Sequence, residues 1–300
     1  MGRRVRAAER DVALATRHHS ITHRYLLLRE PRLFGGGGDG RVFADVGVGD
    51  AATTTLELAS ALGRRDGAPR VVATWAVTFT LPSKYILQRA CSLLSRSARP
   101  RLWVPQVATE ADAARAGKAR RACDGVADVR QTDGGFALPL RPGERCVGAR
   151  AMNVFRSSYT EPAAAAAVAE LAASLDEGAP LIEGSCSRTG DAGVAHVLRK
   201  RGDGVSREAL LLAVDPARAR GTAPLALRPY LPRDIRWKFR AGSPVYAFWT
   251  RWTAAWKAAR LVSAPEDVFR ASGEAMRGDG VEVLGPGLLL WRPDGGVPVS

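Results

Sequence analysis

A mainly parallel α/β sheet with helices on both faces is the fold class this sequence predicts, and three observations predict it. The 300 residues are 46% hydrophobic and 25% charged, ordinary values for a globular chain with room for one large domain or two small ones. Short apolar runs of strand length alternate with Ala- and Leu-rich helical stretches, the order that builds a parallel sheet. The first convincing strand, residues 41–50 (RVFADVGVGD), passes through a glycine turn directly into the helical stretch TTTLELASALG.

Taken in order, residues 5–28 read as a helical arm, and the GGGG run at 35–38 separates it from the first strand. The threonines that open the next helix can cap its start, and Gly63 stands where its C-terminus closes. Strand-length runs follow at 71–74 (VVAT), 144–152 (ERCVGARAM), 180–185 (PLIEGS) and 208–215 (EALLLAVD). Between the second and third of these lies EPAAAAAVAELAASL, a helix with Pro162 in its first turn, where a missing N–H costs least. The predicted organisation is an arm over 1–40, a sheet domain over 41–220 and a basic aromatic extension or lid over 221–300.

Residues 75–109 stand apart, because they hold no acid while their neighbours carry acids throughout, and the tripeptide VAT occurs on both sides, at 72–74 and 107–109. Two readings stay open: an inserted segment, such as retained intron sequence, or an ordinary excursion with a chance echo. With the segment removed, a strand ends in Glu110 and runs into an Ala-rich helix.

The charge balance is 44 basic to 30 acidic residues, a net +14, but only five of the basic residues are lysine. An arginine and alanine excess fits GC-rich coding sequence as well as an anionic partner, so the charge alone does not assign one. No run of 18 apolar residues is present, which argues against a membrane span. Cys91, Cys123, Cys146 and Cys186 are scattered without a CxxC pair, so a disulfide framework and a structural zinc site are not expected and a reducing, cytoplasmic setting is. The Arg-rich start leaves organelle import open.

The turn FADVGVGD is the most informative stretch. Gly47 and Gly49 permit a sharp turn and close approach to a ligand, and the following helix offers unpaired N–H groups and a positive dipole end. The pattern Gly47-x-Gly49-x-x-Ala52 also fits a dinucleotide fingerprint, which keeps a nicotinamide-dependent oxidoreductase open. With Asp45 two residues ahead of the first glycine and the downstream strand order, the chain resembles the class I S-adenosylmethionine-dependent methyltransferases. The resemblance covers about residues 41–215 and implies a Rossmann-like, doubly wound sheet of seven strands with the last strand antiparallel.

It further implies S-adenosylmethionine as cofactor, with Asp45, Gly47 and Gly49 under its methionine part and an acid after the second strand on the ribose hydroxyls. Trp75 follows VVAT in the chain as written, and Glu110 takes the acid's place when 75–109 is set aside. Residues 127–140 (ADVRQTDGGFALPL) are similar to the family's third-strand segment, which carries Asp133 and Gly134 over as adenine contacts. GARAMNVFRSSY resembles the fourth-strand motif and places Asn153 toward the methyl donor. Val154 and Phe155 replace the prolines of the form used on exocyclic amines, so adenine or cytosine amines are not the expected acceptor. Residues 194–202 (VAHVLRKRG) with 208–215 look like the family's closing reversed hairpin. No general base stands out and the acceptor is not identified; a non-catalytic, methyltransferase-like RNA-binding protein is a further reading. Under the ribose reading, Glu110→Gln should weaken S-adenosylmethionine binding roughly ten- to a hundredfold by calorimetric titration.

Three other features carry weaker chemistry. His18, His19 and His23 form HHxxxH, with His19 and His23 on one helix face, but no third ligand stands nearby and a surface helix is the expectation. Cys146 and Cys186 lack a neighbouring base, so a thiolate nucleophile is not expected. Residues 228–260 hold four of the seven tryptophans and eight basic residues against one acid, Asp234. Interleaved Arg and aromatic side chains suit an RNA platform, but Val245, Trp249, Trp252 and Trp256 recur at helical spacing and favour a helix packed on a core.

Overall fold

The computed structural model describes residues 20–34, 40–47, 52–64, 66–75, 110–132, 135–155, 161–187, 191–215 and 222–293. Five parallel strands form its first half: β1 (Arg41–Val46), β2 (Arg70–Trp75), β3 (Asp128–Gln131), β4 (Arg145–Met152) and β5 (Pro180–Cys186). They lie in the order β3-β2-β1-β4-β5. The helices between them are α2 (Thr53–Gly63), α3 (Glu110–Ala122) and α4 (Glu161–Ala173), preceded by α1 (Ser20–Arg29), the described part of the expected arm. β2 runs one residue past Thr74, pairing Trp75 with Gln131, and α3 opens at Glu110.

After β5 the chain meanders. β6 (Ala192–Arg201) runs antiparallel to β5, and β7 (Gly204–Val214) antiparallel to β6. The 194–202 and 208–215 runs therefore do form the expected antiparallel pair. Among the described residues, however, the sheet has nine strands and not seven. β8 (Val281–Gly285) and β9 (Leu288–Trp291) continue it in the order β7-β9-β8, with β9 antiparallel to β7. Nor is the last strand the one reversed strand, since β6 and β9 both run against β1–β5. The physical reason lies in β7: Ala209 through Val214 are all buried, and an edge strand with that apolar run needs a cover. Leu288–Trp291, equally buried, supplies it. The chain beyond 221 thus completes the sheet.

Side chains alternate between two packed faces. On one, Phe43, Val71, Ile182, Val197, Leu211 and Leu290 meet α1 and α2 through Leu26, Leu58 and Leu62. On the other, Val42, Ala44, Ala149 and Leu181 lie under Ala167 and Leu171 of α4. Further along that face, Leu210, Leu212 and Leu289 lie under α6 (Pro244–Val262), which follows the short α5 (Arg233–Lys238) and precedes α7 (Val268–Glu274). The oxygen of Ser243 caps α6 by accepting from the Tyr246 N–H at 3.1 Å, with Pro244 in the first turn.

Val245, Trp249, Trp252 and Trp256 are buried as their spacing predicts. Two of the indoles are satisfied inside: that of Trp249 donates to the Pro224 carbonyl and that of Trp252 to the Ser272 hydroxyl, each at 3.0 Å. Phe248 stacks on Trp291 at 3.8 Å between centroids, which fastens the helix to β9. These residues of α6 form a core, not a platform.

Candidate functional site

In a sheet ordered β3-β2-β1-β4-β5, successive connections leave β1 in opposite directions, and the crevice between the carboxyl ends of β1 and β4 is where such sheets bind ligands. Gly47 lies at the end of β1 with φ of +86°, a conformation that glycine adopts without steric cost. Its N–H donates to the Thr74 carbonyl at 3.1 Å, tying the turn to β2. A Cβ on Gly47 would lie 2.8 Å from Val154 Cγ2 beyond β4, so the turn closely approaches the mouth of the crevice. Ala52, at φ of +50°, leads into α2, whose first turn has no side-chain cap.

Asp45 supports this turn from below. Arg150 of β4 grips its carboxylate in bidentate fashion, Nε to Oδ1 at 2.7 Å and Nη2 to Oδ2 at 2.8 Å, and the Thr55 hydroxyl donates to Oδ2 at 2.6 Å. The same guanidinium reaches the Thr54 carbonyl, the Thr22 hydroxyl and, at 2.6 Å, His23 Nε2. Arg150 is 1% exposed, and Asp45, Thr22, His23 and Thr55 are also buried. One network therefore joins β1, β4, α1 and the first turn of α2. Asp45, expected under the methionine part of the cofactor, stands near the end of β1 with both oxygens engaged within the protein. Arg150 was not expected, although an arginine between Ala149 and Ala151 in an apolar strand is a signal that a buried acid awaits it. His23, expected on a helix surface, faces inward onto Arg150 instead.

Asn153 ends β4 with φ of +62°, a region asparagine tolerates better than most residues. Its backbone N–H donates to the Gly184 carbonyl, its Oδ1 accepts from the Cys186 N–H at 3.0 Å, and its Nδ2 donates to Cys186 Sγ at 3.2 Å. The residue fastens the end of β4 to the end of β5 while remaining exposed at the crevice. Phe136, after β3, packs on Phe155 at 5.1 Å and walls the same end of the sheet. Glu110 lies at the N-terminus of α3, the helix that follows β2. Gly49, Asp133 and Gly134, like His18, His19, Cys91 and residues 76–109, lie outside the described residues. Cys146 is buried in β4, and desolvation pushes its thiol up to about 12, which removes it as a nucleophile at neutral pH.

A second polar group lies on the α4 and α6 face. Glu183 of β5 stands opposite His196 of β6. His196 Nε2 meets Asp234 Oδ1 of α5 at 2.9 Å, and Arg207 of β7 pairs with the other Asp234 oxygen. Burial works against the charged form of Asp234, but hydrogen bonding to His196 and the nearby Arg207 charge hold its carboxyl well below the usual range. Burial holds His196 below its ordinary value and, with the Asp234 charge, raises Glu183 to about 7.

No family model matches this chain, and no curated protein matches it. Among solved structures it is similar to S-adenosylmethionine-bound CalS10, an amino pentose methyltransferase from Micromonospora echinaspora involved in calicheamicin biosynthesis, at 16% identity over 69% of each chain with a TM-score of 0.31. Streptomyces venezuelae DesVI aligns at 14% identity over 63% of this chain and 66% of its own, with a TM-score of 0.28. The rRNA methyltransferase aviRa from Streptomyces viridochromogenes aligns at 20% identity over 59% of this chain and 75% of its own, with a TM-score of 0.30.

Proposed function

We infer that this chain transfers the methyl group of S-adenosylmethionine to an acceptor whose identity the site leaves open. The observation that carries the reading is Gly47, a positive-φ glycine at the carboxyl end of β1, facing β4 across the switch point of the sheet. A dinucleotide-binding sheet of order 3-2-1-4-5-6 is mostly parallel. Here the strand after β5 turns back against it, which supports methyl transfer over hydride transfer.

The cofactor supplies an activated methyl on a sulfonium, open to in-line displacement. The turn at Gly47 and Gly49 would bring backbone close to its methionine part, and Glu110 offers two acceptor oxygens for vicinal ribose hydroxyls. Asp133 and Gly134 would take the adenine edge. Asp45 holds the turn through Arg150, and Asn153 sets the rim on the methyl side by fixing β4 to β5. Catalysis then comes chiefly from positioning.

Calorimetric titration with S-adenosylmethionine, S-adenosylhomocysteine and NAD tests the reading. Both adenosyl compounds should bind and NAD should not. Gly47→Val, which places a branched side chain at positive φ against Val154, should weaken adenosyl binding by roughly tenfold or more. Tight NAD binding with no response to either adenosyl compound would overturn the assignment.

A further inference from the structure

The 3-10 stretch Pro224–Tyr230 and α5 are sided. Leu227, Leu231 and Ile235 turn into the apolar cluster beneath α6. Facing outward are Arg228, Arg236, Lys238 and Arg240, all exposed, and Trp237, which is 72% exposed. Tyr246, 42% exposed at the start of α6, extends the same surface through an edge contact with Phe239 at 5.6 Å, and the Arg228 guanidinium lies 4.9 Å over that Phe239 ring.

Two features distinguish this face from an ordinary solvated helix. No carboxylate among the described residues pairs with the four cations, because Asp234, the one acid of the stretch, is turned toward the sheet, where His196 and Arg207 take it. A mostly bare indole also sits between Arg236 and Lys238 with no packing role that its exposure would reflect.

We propose that this face binds a single-stranded nucleic acid, with bases stacked on Trp237 and Tyr246 and phosphates held by Arg228, Arg236, Lys238 and Arg240. Aromatic faces for bases and unpaired cations for the backbone are the two elements such binding needs, and sequence tolerance follows because every base has a π-face. An anionic membrane fits less well. The apolar side of α5, through Ile235, is already committed to the protein core, and the exposed Leu225 is a single aliphatic side chain, so the described residues of this face form no apolar stripe to enter a bilayer. The surface belongs to α5 and its neighbours, apart from the β1–β4 crevice, so the proposal does not depend on methyl transfer.

Fluorescence anisotropy with a labelled single-stranded RNA of about 12 nucleotides, within the usual site size, and with DNA of the same sequence, tests it on the full chain. Binding should weaken as salt rises, with a slope of log affinity on log salt of about −2 to −3 for four phosphate contacts. Trp237→Ala should weaken it roughly ten- to a hundredfold, and Trp237→Phe should recover most of the loss. Arg236→Gln with Lys238→Gln and Arg240→Gln should flatten the salt slope. Thermal melts of these surface variants, matching the parent chain, would show that folding is not the cause. Equal loss with RNA and DNA assigns stacking and phosphate as the recognition, and loss with RNA alone adds the 2′-hydroxyl. Affinity indifferent to Trp237→Ala, equal binding of polyglutamate, or preference for phosphatidylserine vesicles over both oligonucleotides would overturn the proposal.

Discussion

Arg150→Met should lower the free energy of unfolding by about 3–5 kcal/mol, because it leaves the Asp45 carboxylate buried without its counter-ion. Methionine keeps much of the stem that packs in β4, so the loss is mainly electrostatic. Adding Asp45→Asn to Arg150→Met removes the stranded charge and should restore a substantial part of the stability, whereas independent sites would lose stability additively. Urea denaturation of the parent, both single variants and the double variant measures the coupling. If the double variant is as unstable as the sum of its parts, Asp45 and Arg150 do not act as a pair and the network beneath the glycine turn is misread.

Glu183→Gln should stabilise the protein at pH 8 by roughly 3 kcal/mol and change little near pH 4.5. The sign follows from its raised pKa, about 7 in the fold against 4.5 for an ordinary glutamate carboxyl. Between those values the unfolded chain has released a proton that the folded chain still holds, so stability falls as pH rises through the window and stays low above it. A shift of that size is roughly 3 kcal/mol at about 1.4 kcal/mol per unit. Glutamine removes the titration and the cost of a desolvated, half-buried anion near Asp234. His196 works in the opposite direction: held neutral by burial, it makes the fold lose stability as pH falls below its ordinary 6.5. The parent chain should therefore be most stable on the mildly acidic side of neutrality, with the high-pH decline abolished in Glu183→Gln. An equal increment at pH 8 and pH 4.5 in urea titrations would mean that Glu183 is not titrating there.

Much of the parallel half of the sheet was legible because a strand such as β1 ends in turn chemistry at Gly47 and a helix such as α4 carries its own start signal at Pro162, whereas the end of β2 had no such mark and β3 was placed only through the resemblance. The α6 stripe was legible for the same reason, with Val245, Trp249, Trp252 and Trp256 at a helical period. The antiparallel half was harder to read. Hairpin strands such as Val281–Gly285 and Leu288–Trp291 are short, and what recruits them is the buried edge of β7, a relation between distant segments that local periodicity does not carry. The site divided along the same line. Gly47 announces itself through its neighbours in sequence, while Arg150 and His23 reach Asp45 only after β4 and α1 have been placed beside β1. Asn153 was placed by motif, but its hold on Cys186 is a contact between two strand ends that only the fold creates.

The pairing of β7 with β9 has a consequence for the order in which the molecule is made. During synthesis from the N-terminus, β5, β6 and β7 emerge together and can close their hairpins at once through local contacts. The outer edge of β7, with Ala209 through Val214, then waits until the whole segment bearing α5, α6 and α7 has followed, because Leu288–Trp291 lies beyond it. A nascent chain at that stage carries a long apolar strand edge without its neighbour, the kind of surface that draws chaperones or pairs with another copy. A stop codon between β7 and β9 would leave that state as the final one, so early termination in the last fifth of the chain, ahead of Leu288, should yield aggregated protein rather than a trimmed, working sheet.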